Sequence, residues 1–138
     1  MDLSTIQSYS KPATFNAVPD WQLGWAWLAG GTWLFSEPQP HLTTLVDIEP
    51  FGWSEIRVEQ DALVLGASCT LNQLLHHPWP AEWPATSLFK SAIAALAASF
   101  KVTQVATLGG NLCLALAVGV MAPVMAVSYT HLTLPTKA

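Results

Sequence analysis

The chain has 138 residues, 51% of them hydrophobic and only 10% charged, and it carries a net charge of −4. The length suits one domain with a real core, and the negative balance with no Lys/Arg cluster argues against a nucleic-acid-binding surface. A charge content far below the ~25% of an ordinary soluble domain means that part of the surface meets other protein, or that the chain belongs to something larger.

In chain order, residues 1–19 read as irregular, with prolines at 12 and 19; the polar start, Met1 to Tyr9, lacks the charged and apolar regions of a secretory signal. The tryptophan-rich stretch Trp21–Trp27 reads as a short strand running through Leu28-Ala29 into the pair Gly30-Gly31. Glu37-Pro38-Gln39-Pro40 marks a loop, and the β-branched run Thr43–Ile48 a strand. Glu55–Val58 and Ala62–Ala67 predict a hairpin about Glu59-Gln60-Asp61. Thr70 is placed to cap a short helix over Leu71–His76, after which Pro78, Pro80 and Pro84 enforce a loop. Ser87–Phe100 is the clearest helix, with Leu88, Ala92, Ala95, Leu96 and Ser99 near one face. Lys101–Thr107 leads into the second pair, Gly109-Gly110. The uninterrupted apolar run of 16 residues, Leu112–Val127, falls short of the ~20 needed for a membrane span. It contains Gly119 and Pro123, and reads as a buried helix or strand–helix segment. The polar end, Ser128–Ala138, breaks the pattern and is expected to be a non-native tail on residues 1–127.

The two glycine pairs carry the chemical signal. Glycine permits φ > 0 and a close approach of a ligand to the peptide groups, and successive N–H groups in such a turn form a nest for an anion. Two such loops folded together can hold a diphosphate and its sugars, which points to a nucleotide cofactor. Nothing else competes as chemistry. Cys69 and Cys113 make no C-x-x-C pair and no zinc pattern, and read as buried, inert, free thiols in a reducing, cytoplasmic compartment. His76-His77 point in different directions on a helix and make a poor chelate, so no metal is expected. Asp47, Glu49 and Glu55 form no acid–base pair, no nucleophile set is present, and no catalytic residue is assigned. Among the seven tryptophans, Trp33 is the one expected beside a ligand ring.

Four ordered segments carry a family resemblance: LAGGT at 28–32, LVDI at 45–48, LGASCTLNQLL at 65–75 and ATLGGNL at 106–112. Together, over about Tyr9 to Val127, they resemble the FAD-binding subunit of molybdenum hydroxylases, a group that includes the flavoprotein components of carbon monoxide dehydrogenase and xanthine dehydrogenase. The resemblance implies an α+β FAD-binding domain of the vanillyl-alcohol-oxidase (PCMH) type. Its small N-terminal α/β lobe would cover about residues 9–55, and the start of a larger lobe about 56–127. It implies FAD between two loops, with Ala29, Gly30, Gly31, Thr32 and Trp33 on the first and Thr107, Leu108, Gly109, Gly110 and Asn111 on the second. The implied partners are an iron–sulfur subunit and a molybdopterin subunit, with NAD or a quinone as electron acceptor. Trp33, Val102-Thr103-Gln104, Ala117 and Val120 depart from the family pattern; at the last position the family usually carries an Asp that helps to hold the cofactor. Two alternatives stay open: another FAD-dependent oxidase or reductase on the same fold, or a truncated fragment that no longer binds FAD.

Overall fold

A three-stranded parallel sheet opens the chain. Its strands β1 (Ser8–Ser10), β2 (Trp25–Leu28) and β3 (Thr44–Asp47) lie in the order β1-β3-β2. The computed structural model describes residues 3–60, 62–83, 86–96, 99–114, 119 and 121–127. All four residues of β3 are buried, as befits the central strand of a parallel sheet, whose sequence need not alternate. Leu45 and Val46 are buried, as are Val18, Leu42 and Ile48.

β1 corrects the expectation that residues 1–19 are irregular. Ser-Tyr-Ser has no hydrophobic period to betray a strand; it is held instead by polar contacts with β3. Ser8 Oγ lies 2.8 Å from Thr44 Oγ1, and the Tyr9 hydroxyl donates to Asp47 Oδ2. That bond pushes the Tyr9 phenol above its ordinary pKa, because it favours the protonated form. The other Asp47 oxygen accepts from the backbone N–H of Glu49 at 2.9 Å, so this buried carboxylate is satisfied.

The hairpin forms as β4 (Ile56–Val58) and β5 (Leu63–Leu65). Helix α1 (Leu71–His76) starts where Thr70 predicts and is closed by a full capping box. Thr70 Oγ1 accepts from Gln73 N at 3.1 Å, and Gln73 Oε1 accepts from Thr70 N at 2.8 Å.

The expected helix over Ser87–Phe100 splits. Helix α2 (Ser87–Ala95) ends early, and α3 (Phe100–Val105) begins a new helix in the stretch read as a plain lead-in. Ser99 is the reason on the C-terminal side: its hydroxyl accepts from Val102 N and caps α3 instead of continuing α2. The buried stripe of α2 is Phe89 and Ile93, flanked by Leu88, Ala92 and Leu96, whereas Ala95 and Ser99 are exposed.

The long apolar run is likewise divided between α4 (Leu108–Leu114) and α5 (Met121–Val127). Among the described residues no helix is long and apolar enough to cross a membrane. The second core gathers Cys69, Leu71, Leu74, Phe89, Ile93, Ala106, Leu108, Met121 and Val124. Positions 117 and 120 and the tail 128–138 lie outside the described residues.

Candidate functional site

The first glycine pair follows β2 directly. Leu28 O still accepts from Ile48 N at 3.0 Å, and then the chain turns away from the sheet. Gly31 makes the turn with φ +71, in the left-handed region. Phe35 N donates to Gly31 O at 3.0 Å, and Ser36 N and Oγ both donate to Trp33 O. These bonds use carbonyls. Among the described residues, the N–H groups of Gly30, Gly31, Thr32 and Trp33 have no intramolecular acceptor.

The second pair is built differently. Segments 67–71 and 106–109 zip together antiparallel through the Thr70–Thr107 bridge. Leu71 N donates to Ala106 O at 2.9 Å, Leu108 N to Cys69 O at 2.8 Å and Gly109 N to Ala67 O at 2.9 Å. Gly110 N donates to Thr107 Oγ1 at 3.0 Å, and Asn111 N to Thr107 O at 3.0 Å. The glycines sit in the first turn of α4, and neither has positive φ. A methyl group on Gly109 would stand 2.8 Å from Ala67 O and Cβ, so this glycine serves close packing rather than a special turn.

Gly30 joins the two loops. A Cβ there would lie 2.0 Å from Val105 O and 3.2 Å from Ala106 Cα, at the entry to the second loop. With the loops thus apposed, a cavity of about 550 Å³ opens between them, within the roughly 300–1,000 Å³ range of small-molecule sites. Ala29, Gly30, Gly31, Thr32 and Trp33 line one side, and Thr107, Gly109 and Gly110 the other. Leu108 and Asn111 are placed elsewhere. The Leu108 side chain is buried in the second core, and Asn111 Oδ1 accepts from Met121 N at 3.0 Å, tying α4 to the start of α5.

Seven further residues line the cavity that sequence reasoning left out: Phe15, Ala26, Trp27, Leu34, Ile48, Trp53 and Cys113. A signal existed for Cys113, which stands three and four residues after Gly110 and Gly109 on the same helix face. It is exposed, which corrects the reading of both cysteines as buried. Cys69 is buried in the second core, and desolvation pushes its thiol up to about 11. His76 Nδ1 lies 3.0 Å from Asn72 O, and the His77 ring packs on Trp79. Among the described residues no group of three His, Cys, Asp or Glu is placed to hold a metal.

Among the described residues no Lys or Arg lines the cavity, and the groups there that can hold an anion are peptide N–H groups and hydroxyls. The unpartnered donors at 30–33 and the left-handed Gly31 suit a phosphate-bearing organic molecule such as FAD. Among the described residues, a methyl on Gly110 would meet the Thr107 hydroxyl, at 3.0 Å. Fold and site together define an α+β domain with a cavity between two glycine loops.

Residues 9–138 match the model of the FAD binding domain in molybdopterin dehydrogenase, and the chain belongs to that family. No curated protein sequence matches it. Its fold is similar to quinoline 2-oxidoreductase from Pseudomonas putida 86 (24% identity, TM-score 0.61, covering 81% of this chain and 40% of that one). It is also similar to carbon monoxide dehydrogenase from Hydrogenophaga pseudoflava (23%, 0.61, 78% and 39%). The reconstituted CO dehydrogenase from Oligotropha carboxidovorans is a third neighbour (22%, 0.62, 80% and 40%). The chain thus spans about two fifths of the length of each of these structures. The expected α+β, PCMH-type fold and the FAD-binding family are both the ones found.

Proposed function

We propose that this chain holds FAD in the cavity between its loops, with the diphosphate on the peptide N–H groups of Gly30 to Trp33 and the Thr32 hydroxyl. The facing wall is Thr107, Gly109 and Gly110. The unpartnered run of donors at the first loop carries this reading, because amides of partly exposed residues, without protein acceptors beside a cavity, are free to donate to a bound anion. Leu108 and Asn111 act behind the wall, one through the core and the other through α5.

Bound flavin would supply the redox chemistry; the chain supplies position and a polar cradle. In the wider assembly the domain relays electrons from an iron–sulfur partner to an external acceptor such as NAD or a quinone, while substrate is oxidised on a separate molybdopterin subunit. The family membership supports this role, as do two structural neighbours, a carbon monoxide dehydrogenase that lacks the Mo-pyranopterin moiety of its molybdenum cofactor and a Cu,Mo-CO dehydrogenase. Two free thiols and a low charge content fit a partner-covered protein of the reducing cytoplasm.

The test is reconstitution. Purified chain incubated with excess FAD and desalted should retain the flavin absorbance bands at close to one FAD per chain. A folded, colourless protein overturns the proposal.

A further inference from the structure

The cavity has two chemically distinct halves. One is the pair of glycine loops. The other is aromatic, contributed by three separate segments: Phe15 from the 3-10 turn Phe15–Ala17, Trp27 from β2, and Trp53 after the 3-10 turn Glu49–Phe51. These rings are already organised among themselves. Phe15 lies near-parallel to Trp27, with centroids 6.2 Å apart and planes at 24°. Phe15 and Trp53 lie 6.0 Å apart. Trp21 backs Trp27 in a 4.4 Å stack, and Phe51 backs Trp53 at 4.9 Å.

This cluster is not the core of the small lobe. The buried apolar side chains of the small lobe are aliphatic, Val18, Leu42, Leu45, Val46 and Ile48, the last of which also lines the cavity. Trp27, by contrast, remains 42% exposed, and Phe15 and Trp53 are only partly covered. Large aromatic rings left open beside a cavity are a standing surface for another flat ring. Because the wall is braced by its own ring contacts, little side-chain freedom is lost when such a ring binds. The polar loop and the apolar wall are continuous in one cavity, as a molecule with a diphosphate joined to a heteroaromatic ring requires.

We infer that Phe15, Trp27 and Trp53 form the subsite for one heteroaromatic ring of the dinucleotide, stacking on it while the first glycine loop holds the diphosphate. The inference rests on the FAD reading above and adds residues to it. The ring is either the adenine or the isoalloxazine; both are flat and both hang from the same diphosphate.

The experiment uses the full chain and calorimetric titration with FAD, ADP and FMN, on wild type, Trp27→Leu, Trp27→Phe and Trp53→Leu. Far-UV circular dichroism and the urea midpoint check the fold of each. Trp27→Leu should weaken FAD about tenfold, in line with the loss of one ring stack, while Trp27→Phe stays within about threefold of wild type because stacking survives. Weakening of ADP alone assigns the adenine, and weakening of FMN alone the isoalloxazine. FAD binding at wild-type strength by both Leu variants overturns the subsite, as does a Phe variant as weak as Leu, which would mean a structural role. Wild type that binds no FAD overturns the cofactor reading itself, and that result is distinct from either.

Discussion

Gly30-Gly31 and Gly109-Gly110 look alike as letters and face each other across one cavity, yet they do opposite things with their backbones. The first pair leaves a run of N–H groups without acceptors among the described residues, and turns through φ +71 at Gly31. The second has ordinary helical φ, and Leu108, Gly109, Gly110 and Asn111 all donate within the protein. Gly109 is needed because Ala67 is too close for a side chain, and Gly30 because Val105 O is. A glycine pair therefore signals close approach as readily as it signals an anion nest. Only the fate of the neighbouring N–H groups separates a loop that can bind from one that mainly supports.

The sharpest way to break this contrast is Gly30→Ala. The added methyl would sit on a backbone oxygen that cannot rotate away, and the loops must part; a loss of about 3 kcal/mol is expected in urea unfolding. A loss under about 1 kcal/mol would show that the loops are not locked together there.

Gly110→Val should act on the ligand more than on the fold. Among the described residues its Cβ would meet the Thr107 hydroxyl at 3.0 Å, a contact that a small side-chain shift relieves, so FAD binding should weaken about tenfold with a smaller loss of urea stability than Gly30→Ala. Unchanged FAD occupancy would count against the second loop as a wall of the site.

A matched pair of threonine variants sharpens the comparison further. Thr107→Val removes the acceptor for Gly110 N and should cost about 1 kcal/mol of stability, with FAD affinity within about twofold. Thr32→Val should leave stability within about 0.5 kcal/mol but weaken FAD about fivefold, the scale of one hydrogen bond. Equal effects of the two on FAD would erase the distinction between the loops.

The smallest expected effect concerns the thiols. At pH 8 Cys113 should react with a maleimide, and bound FAD should slow that reaction about threefold by occupying the cavity. Cys69 should stay unlabelled until the chain unfolds, since it is buried and its thiol, pushed up to about 11, is protonated at that pH. The contribution of Cys69 to stability is accordingly constant below the ordinary thiol value of 9.0 and diminishes from there towards about 11, as the unfolded chain ionises first.

The amino-acid sequence by itself determined those features whose causes lie within a few residues. The capped helix at Thr70, the central strand in Thr43–Ile48, the hairpin and the two glycine pairs were legible because capping, β-branching and turn chemistry act locally. The ordered segments around them sufficed to place the family. Tertiary structure alone decided the rest. It made Ser8–Ser10 a strand through its bonds to β3, and split the Ser87–Phe100 helix. It turned Asn111 towards Met121, and brought Phe15, Trp27 and Trp53 to one wall from three segments. It also decided which glycine loop keeps its donors. The physical reason is common to all of these: the partner that settles each residue's role lies far along the chain, where no local propensity can register it.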